Sequence, residues 1–275
     1  EAPDKASTDG MIYKLTGEWT PTEDVMFYAT YSEGFRAGLL NRPGGASGPG
    51  GYTVPYAVDT DEVKNYELGW KTELFDNSLR FNGSAFFVDI EGLQTTIFDP
   101  SIVNLFFSDN AANAEIQGLE GDFTWAPASV DGLTIAGAFS LLDTEITEVL
   151  VPTDDVVEGS DLAFAPAYQG NLRVRYEWDL EQEVAGQRLT AHVMPQIVFS
   201  DDSVSDVIEI NKMDLDGYVT LGGSMGVTGD NWGAEIFASN LTNEYAELSG
   251  SFVYDRERIT PMRPRTIGIR VSYDY

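Results

Sequence analysis

The sequence predicts an all-β protein, an antiparallel transmembrane barrel wall of about eleven strands, and three observations carry that prediction. Apolar and polar residues alternate with period two in segment after segment, the pattern of strands with one oily and one wet face. Connections between these segments alternate short and long, as in barrels with tight turns on one side of a membrane and large loops on the other. The five Trp residues fall at or near strand ends beside short connections, where an apolar ring with a single N–H meets both lipid and water.

The first strand is predicted over residues 11–19, where Met11, Tyr13, Leu15, Gly17 and Trp19 alternate with Ile12, Lys14, Thr16 and Glu18 before the turn TPTED. The second covers 25–38, with Val25, Phe27, Ala29 and Tyr31 on one face and Tyr28, Thr30 and Ser32 on the other. The stretch LLNRPGGASGPGGYTVPYAVDTD that follows is rich in Gly and Pro, and no regular structure is expected there. The third strand, 62–75, sets Tyr66, Leu68, Trp70, Thr72 and Leu74 against Asn65, Glu67, Lys71 and Glu73, and the turn DNS leads into the fourth, 79–90. The rhythm repeats beyond the long segment FDPSIVNLFFSDNAAN: strands at 114–126 and 133–146 flank the turn PASVDG, and an acidic loop, VPTDDVVEGSD, comes next. Strand 167–178 places Leu172, Val174, Tyr176 and Trp178 opposite Arg173 and Arg175; the turn DLEQEVAGQ joins it to 188–199. After a loop rich in Asp and Ser, 217–227 and 232–241 form a hairpin around TGDN, and the loop TNEYAELSGSFVYDRERITPM leads to the last strand, 266–275. There Ile267, Ile269, Val271, Tyr273 and Tyr275 alternate without a break against Thr266, Gly268, Arg270, Ser272 and Asp274. Its ten residues match the span of about 9–11 that a tilted strand needs to cross a bilayer.

Composition narrows the function. A formal charge of −29 over 275 residues argues against nucleic acid, because phosphate binding needs a basic face. Mean hydropathy of −0.18 and the absence of a long apolar run exclude a transmembrane helix but leave a barrel open, since only half of each strand faces outward. With no Cys and one His, disulfides and thiolate metal sites are excluded. Nucleophile elbow, zinc-helix and EF-hand patterns are all missing, so neither enzyme chemistry nor a cofactor is expected. His192 shares parity with Thr190 and Gln196 and, lacking a second ligand, is expected to be a wall residue. Asp154, Asp155, Glu158 and Asp161 are oxygen ligands suited to Ca2+, but their spacing is not diagnostic, and a solvated loop is expected.

Five segments then carry a family resemblance: YATYSEGFRAGLLN (28–41), VKNYELGWKTELFDNSLRFNGSAFFVDI (63–90), AEIQGLEGDFTWAP (114–127), WGAEIFASNLTNEYA (232–246) and MRPRTIGIRVSYDY (262–275). In this order and spacing they resemble the carboxyl-terminal half of TonB-dependent outer-membrane receptors, the active importers of Gram-negative bacteria. The resemblance implies a barrel of twenty-two strands around an amino-terminal plug, with residues 1–275 as the second half of the wall and the plug and first half as missing partners. It also implies a bacterial outer-membrane location, a scarce small-molecule ligand bound at the outer loops, and coupling through the plug to an inner-membrane energy complex. A ferric siderophore or similar iron chelate is the expected ligand, because the resemblance is closest to such receptors. Two departures stand out: the chain has no plug, and it ends in Tyr where most members end in Phe. Readings from other classes are a passive pore or adhesion barrel, and a soluble β-sandwich.

Candidate residues follow from these placements. The loop aromatics Tyr52, Tyr56, Phe98, Phe106, Phe107 and Tyr168 either line a ligand vestibule or pack loop against loop. Phe252 and Tyr254 with Arg256, Arg258, Arg263 and Arg265 concentrate positive charge and flat rings. They suit an anionic chelate, or they neutralise acidic loops and meet lipopolysaccharide phosphates at the bilayer edge. Arg80, Arg173, Arg175, Arg188 and Arg270 share lumenal parity with Glu67, Glu73, Glu120, Asp122 and Glu235 on neighbouring strands, which predicts interstrand and plug-facing pairs. Trp19, Trp70, Trp125, Trp178, Trp232 and Tyr275 are the predicted membrane-interface belt.

Overall fold

Eleven strands pair edge to edge in chain order and form one antiparallel sheet. In the computed structural model, which describes residues 5, 7–41, 44–47, 51–97, 106–184, 186–252 and 256–274, they are β1 (Lys14–Thr22), β2 (Val25–Arg36), β3 (Asp61–Leu74), β4 (Leu79–Ile97), β5 (Phe107–Trp125), β6 (Leu133–Val149), β7 (Tyr168–Val184), β8 (Gln187–Ser200), β9 (Tyr218–Thr228), β10 (Trp232–Ser239) and β11 (Thr266–Tyr273). Phe98, Tyr254 and Tyr275 lie outside the described residues. Short connections at 23–24, 75–78, 126–132, 185–186 and 229–231 share one end of the sheet, and the five long ones share the other. Both β1 and β11 run from the loop end to the turn end.

Register turns the alternation of single strands into continuous rows. Ala29, Leu68, Ala85, Leu119, Leu141 and Tyr168 stand opposite one another across β2 to β7. Tyr176, Val193, Met225, Ile236 and Ile269 do the same across β7 to β11. Leu68 and Ile269 are 65% and 73% exposed, so this face is apolar and uncovered by protein, a surface that lipid chains cover and water does not favour. Aromatic pairs border it. Near the turns, Trp19 stacks on Phe27 at 5.8 Å, Trp70 meets Phe81 at 5.5 Å and Tyr176 stacks on Trp178 at 5.6 Å. Toward the loops, Tyr31 and Tyr66 are 5.1 Å apart and Tyr168 lies 6.4 Å from Phe199. From Tyr168 to Trp178 the strand advances about 33 Å at ~3.3 Å per residue. At the usual tilt of roughly 40° this is about 25 Å along the membrane normal, the height of a barrel's apolar band.

Among the described residues, the buried apolar core lies at the loop end. Val54, Ile97, Phe107, Ala111, Ile146, Val156 and Ile208 pack there, bringing together the ends of β4, β5 and β6 with three loops. The strands β4 and β5 reach it because each has 19 residues, roughly 60 Å of extended chain. The sequence pattern ends the fourth strand at 90 and begins the fifth at 114, whereas pairing continues to Ile97 and Phe107 beyond a bulge between Ile90 and Gln94. A bulge shifts parity by one residue and so hides the continuation from a period-two reading. Likewise β7 runs on to Val184 through DLEQEV, a stretch outside the apolar band that carries no alternation. The loop predicted without regular structure contains a ribbon, Leu39–Leu40 paired with Ala57–Val58. Asn41 fixes it, its amide donating to the carbonyls of Pro55 (2.9 Å) and Ser108 (2.7 Å) while its Oδ1 accepts from the Ser108 amide at 2.8 Å.

Candidate functional site

The face opposite the apolar one is polar, and its side chains are wired across strands. Glu177, His192, Gly226, Glu235 and Arg270 occupy one register row from β7 to β11. His192, 7% exposed, brings Nε2 to 3.3 Å from Glu235 Oε2 although the two residues are two strands apart. They meet because Gly226 stands between them: a Cβ there would lie 2.6 Å from that of Glu235. The other carboxylate oxygen, Glu235 Oε1, accepts from Arg270 Nη1, and the Arg270 guanidinium lies 5.1 Å over the Phe237 ring. On β7, Arg175 donates from Nε and Nη2 to Glu177 Oε1 at 3.0 and 2.6 Å. A second row holds Tyr28, Gly69, Ser84 and Glu120. Tyr28 lies across Gly69 and donates its hydroxyl to Glu67 at 2.5 Å, and Ser84 Oγ donates to Glu120 at 3.4 Å.

Of the residues predicted to face the lumen, Glu67, Glu120, Asp122, Glu235 and Arg270 are therefore in cross-strand links, Asp122 accepting from Asn82 at 3.5 Å, while Arg175 pairs with Glu177 within its own strand. Arg80 is in register with Glu73 and Thr124, and Arg173 with Gln196 and Ala136. Arg188 stands opposite Glu183, beyond a register shift that separates it from Thr190. The five Trp lie on strands at their turn-proximal parts; Trp232 Nε1 donates to Gln187 at 2.9 Å, whereas Trp70 Nε1 is buried with no hydrogen-bond partner among the described residues.

The loop aromatics are redistributed. Phe107 is 2% exposed in the loop core, so no ligand reaches it. Tyr52 packs on Phe107 at 6.0 Å and donates to Asp109 at 2.5 Å; burial, with help from that carboxylate, pushes its phenol well above the usual range. Tyr168 starts β7 on the apolar face and belongs to the loop-end aromatic row. Tyr56, Phe106, Arg256 and Arg258 are exposed and Phe252 is half-buried. Among the described residues no group of three or more Asp, Glu or His side chains is arranged to hold a metal ion.

Three arrangements escaped the sequence reading. Asp61 is fully buried and accepts from the Arg36 amide at 2.8 Å, from Arg36 Nε at 2.5 Å and from Arg36 Nη2. Asn240 and Asn243 adopt left-handed φ of 49° and 56°; Asn240 donates to the carbonyls of Glu244 and Arg263, and Asn243 accepts from the Arg265 amide. Arg36, Asn41, Asn240 and Asn243 all sit inside the segments that carry the family resemblance, which was the available signal. Finally, Arg263 borders a polar-face pocket of about 140 Å³ with Gln196, Thr220, Ser239 and Asn240.

Comparison with known proteins fits this architecture. A family described as "TonB dependent receptor-like, beta-barrel" matches residues 3–243. The chain belongs to the TonB-dependent receptors. Within them, the metal-pseudopaline receptor CntO of Pseudomonas aeruginosa (strain UCBPP-PA14) is 26% identical over 263 residues, 93% of this chain and 33% of that receptor. Two solved TonB-dependent receptors share the fold. The ferric yersiniabactin uptake receptor FyuA of Yersinia pestis aligns with a TM-score of 0.71 at 17% identity, over 95% of this chain and 37% of FyuA. The siderophore receptor PiuA of Acinetobacter baumannii aligns with a TM-score of 0.70 at 20% identity, over 96% and 36%. The chain spans about a third of the length of the curated TonB-dependent receptor it matches over most of its length.

Proposed function

We propose that this chain is the carboxyl-terminal half of an outer-membrane importer for a metal chelate, most simply a ferric siderophore. The observation that carries the reading is a wall with one lipid-compatible face and one polar, cross-linked face, in a family whose matched members are named for metallophore and siderophore uptake. Direction of the edge strands supports the half-barrel. Because β1 and β11 run the same way, antiparallel closure needs an odd number of further strands between them, and a second half of eleven supplies it. The polar face then looks onto a plug, and the exposed loop residues Tyr56, Phe106, Arg256 and Arg258 with the Arg263 pocket offer rings and guanidinium donors to an anionic chelate. Import against a gradient requires energy, which the family draws from the inner membrane through the plug.

The test is uptake of an iron-55-labelled ferric siderophore by cells expressing the intact protein, with and without a protonophore. Uptake that ceases when the proton gradient collapses supports energised import. Uptake that continues unchanged points instead to a passive pore.

A further inference from the structure

We propose that the polar-face pocket bordered by Arg263 is a subsite for one carboxylate, of the kind a chelate carries on an arm that does not hold its metal. The inference deepens the importer reading and rests on it, because the pocket lies on the polar face toward the loop end of β8 and β9. Its volume of about 140 Å³ is below the roughly 300–1,000 Å³ of pockets that enclose a whole ligand. It therefore admits an arm and not a metal complex.

The pocket is built from polar groups that are held in place and left without partners. Gln196 stands opposite Gly222 and its amide lies across that glycine, where a Cβ would come within 2.9 Å of Gln196 Nε2. Thr220 is 8% exposed. Among the described residues neither its hydroxyl, the Gln196 amide, the Ser239 hydroxyl nor the Arg263 guanidinium has a hydrogen-bond or ion-pair partner. A desolvated, unpaired hydroxyl costs free energy that a bound acceptor recovers. The Arg263 backbone is fixed, its carbonyl accepting from Asn240 Nδ2 at 3.1 Å, so the guanidinium extends from a set position and less freedom is lost on binding.

The donor set selects the ligand. A guanidinium, an amide and two hydroxyls line one space, and no acidic residue is among its described lining. A planar anion with two oxygens matches the guanidinium fork and leaves lone pairs for the amide and hydroxyl donors. Surrounding charge then limits that anion to a single unit. Two residues further along β8 and β9, at Ser200 and Tyr218, Asp201 and Asp216 border the next pocket of the same face, and the chain carries −29 overall. A dianion such as phosphate meets about twice the repulsion that a carboxylate does. Val198 and Met262 also line the pocket and suit the carbon chain that bears the carboxylate.

The experiment is NMR of the intact, detergent-purified protein carrying nitrogen-15-labelled arginine, with the Arg263 side-chain signal assigned by its loss in Arg263→Gln. The probes are acetate, acetamide as its neutral counterpart, and dianionic inorganic phosphate, at constant ionic strength. Acetate should shift the Arg263 signal saturably and bind at least about tenfold more tightly than phosphate, and acetamide should leave the signal in place. Thr220→Val keeps the side-chain shape without the hydroxyl and should weaken acetate about three- to tenfold, the loss of one hydrogen bond. An Arg263 signal that acetate does not move overturns the proposal, including the case in which a carboxylate of the plug already fills the pocket. Phosphate binding as tightly as acetate, or Thr220→Val binding acetate like wild type, overturns it too. If Arg263→Gln fails to assemble, Arg263→Lys supplies the assignment. Acetate binding is read without transport, so its failure leaves energised import standing, and uptake that ignores a protonophore leaves the acetate result standing.

Discussion

Replacing Asp61 by Ala should open the entrance to the first long loop. The buried carboxylate accepts three hydrogen bonds from Arg36, one of them from the backbone amide. Removing it strands that N–H away from water, at about 1–3 kcal/mol. The Arg36 side chain is 56% exposed, so its guanidinium regains water and adds no more than about 1 kcal/mol. The sum, about 1–4 kcal/mol, makes local opening roughly 5- to 700-fold more frequent at ~1.4 kcal/mol per factor of ten. Hydrogen exchange in detergent, read at the Arg36 and Asn41 amides, measures it: both donate to loop or strand-end acceptors in the native state. Asp61→Asn keeps an oxygen for the Arg36 amide and should lose only about 1 kcal/mol. Protection unchanged within twofold in Asp61→Ala, or equal losses in the two variants, would refute the view that this carboxylate holds the loop through the backbone amide.

Gly226→Val drives a side chain between His192 and Glu235 and should cost about 1–3 kcal/mol by overpacking, visible as a lower melting temperature in detergent. Ile269→Arg places a charge on the lipid face and should cost about 2–4 kcal/mol in refolding into vesicles, against less than about 1 kcal/mol for Ser272→Arg on the polar face; equal costs would invert the face assignment. Asp206, in the loop between β8 and β9, has its carboxyl raised above the usual range by burial, which outweighs the Ile208 and Val207 amides that favour its charged form. A raised folded value means the stabilising contribution is complete at acid pH and declines as pH climbs from the usual carboxylate range through the folded value. Asp206→Asn should therefore match wild type near pH 3 and protect residues 201–217 from hydrogen exchange better at pH 7, with the Ile208 amide bond of 3.0 Å retained.

The sheet was legible because the apolar band imposes period two on every strand that crosses it. The β11 row from Ile267 to Tyr273 shows this in its purest form. Legibility ended where that constraint ends. The upper parts of β4 and β5 enter a core of their own after a bulge, and the Asp179 to Glu183 segment of β7 has Leu180 as its one apolar residue, so neither carries the alternation that lipid enforces. The polar face was half legible: parity found Glu235 and Arg270, but it could not show that Gly226 joins His192 to them, because contact over a glycine depends on register across three strands. Loop residues were least legible. Phe107 and Tyr168 have the same composition-level signature as a ligand-binding ring, yet one is a core side chain and the other faces lipid, a difference that tertiary packing alone decides.

All ten pairings of the wall join strands that follow one another along the chain, and this has a kinetic meaning. Each hairpin can form from neighbouring residues, so the entropy of closing a loop is met in small instalments, the largest across the 26 residues between β10 and β11. The sheet can therefore grow strand by strand from either side, each added strand finding a template already in register. Among the described residues the outer edges of β1 and β11 have no strand neighbour. In the proposed half-barrel, joining them to the rest of the wall is a long-range event, and it should be the slow step through which assembly is timed.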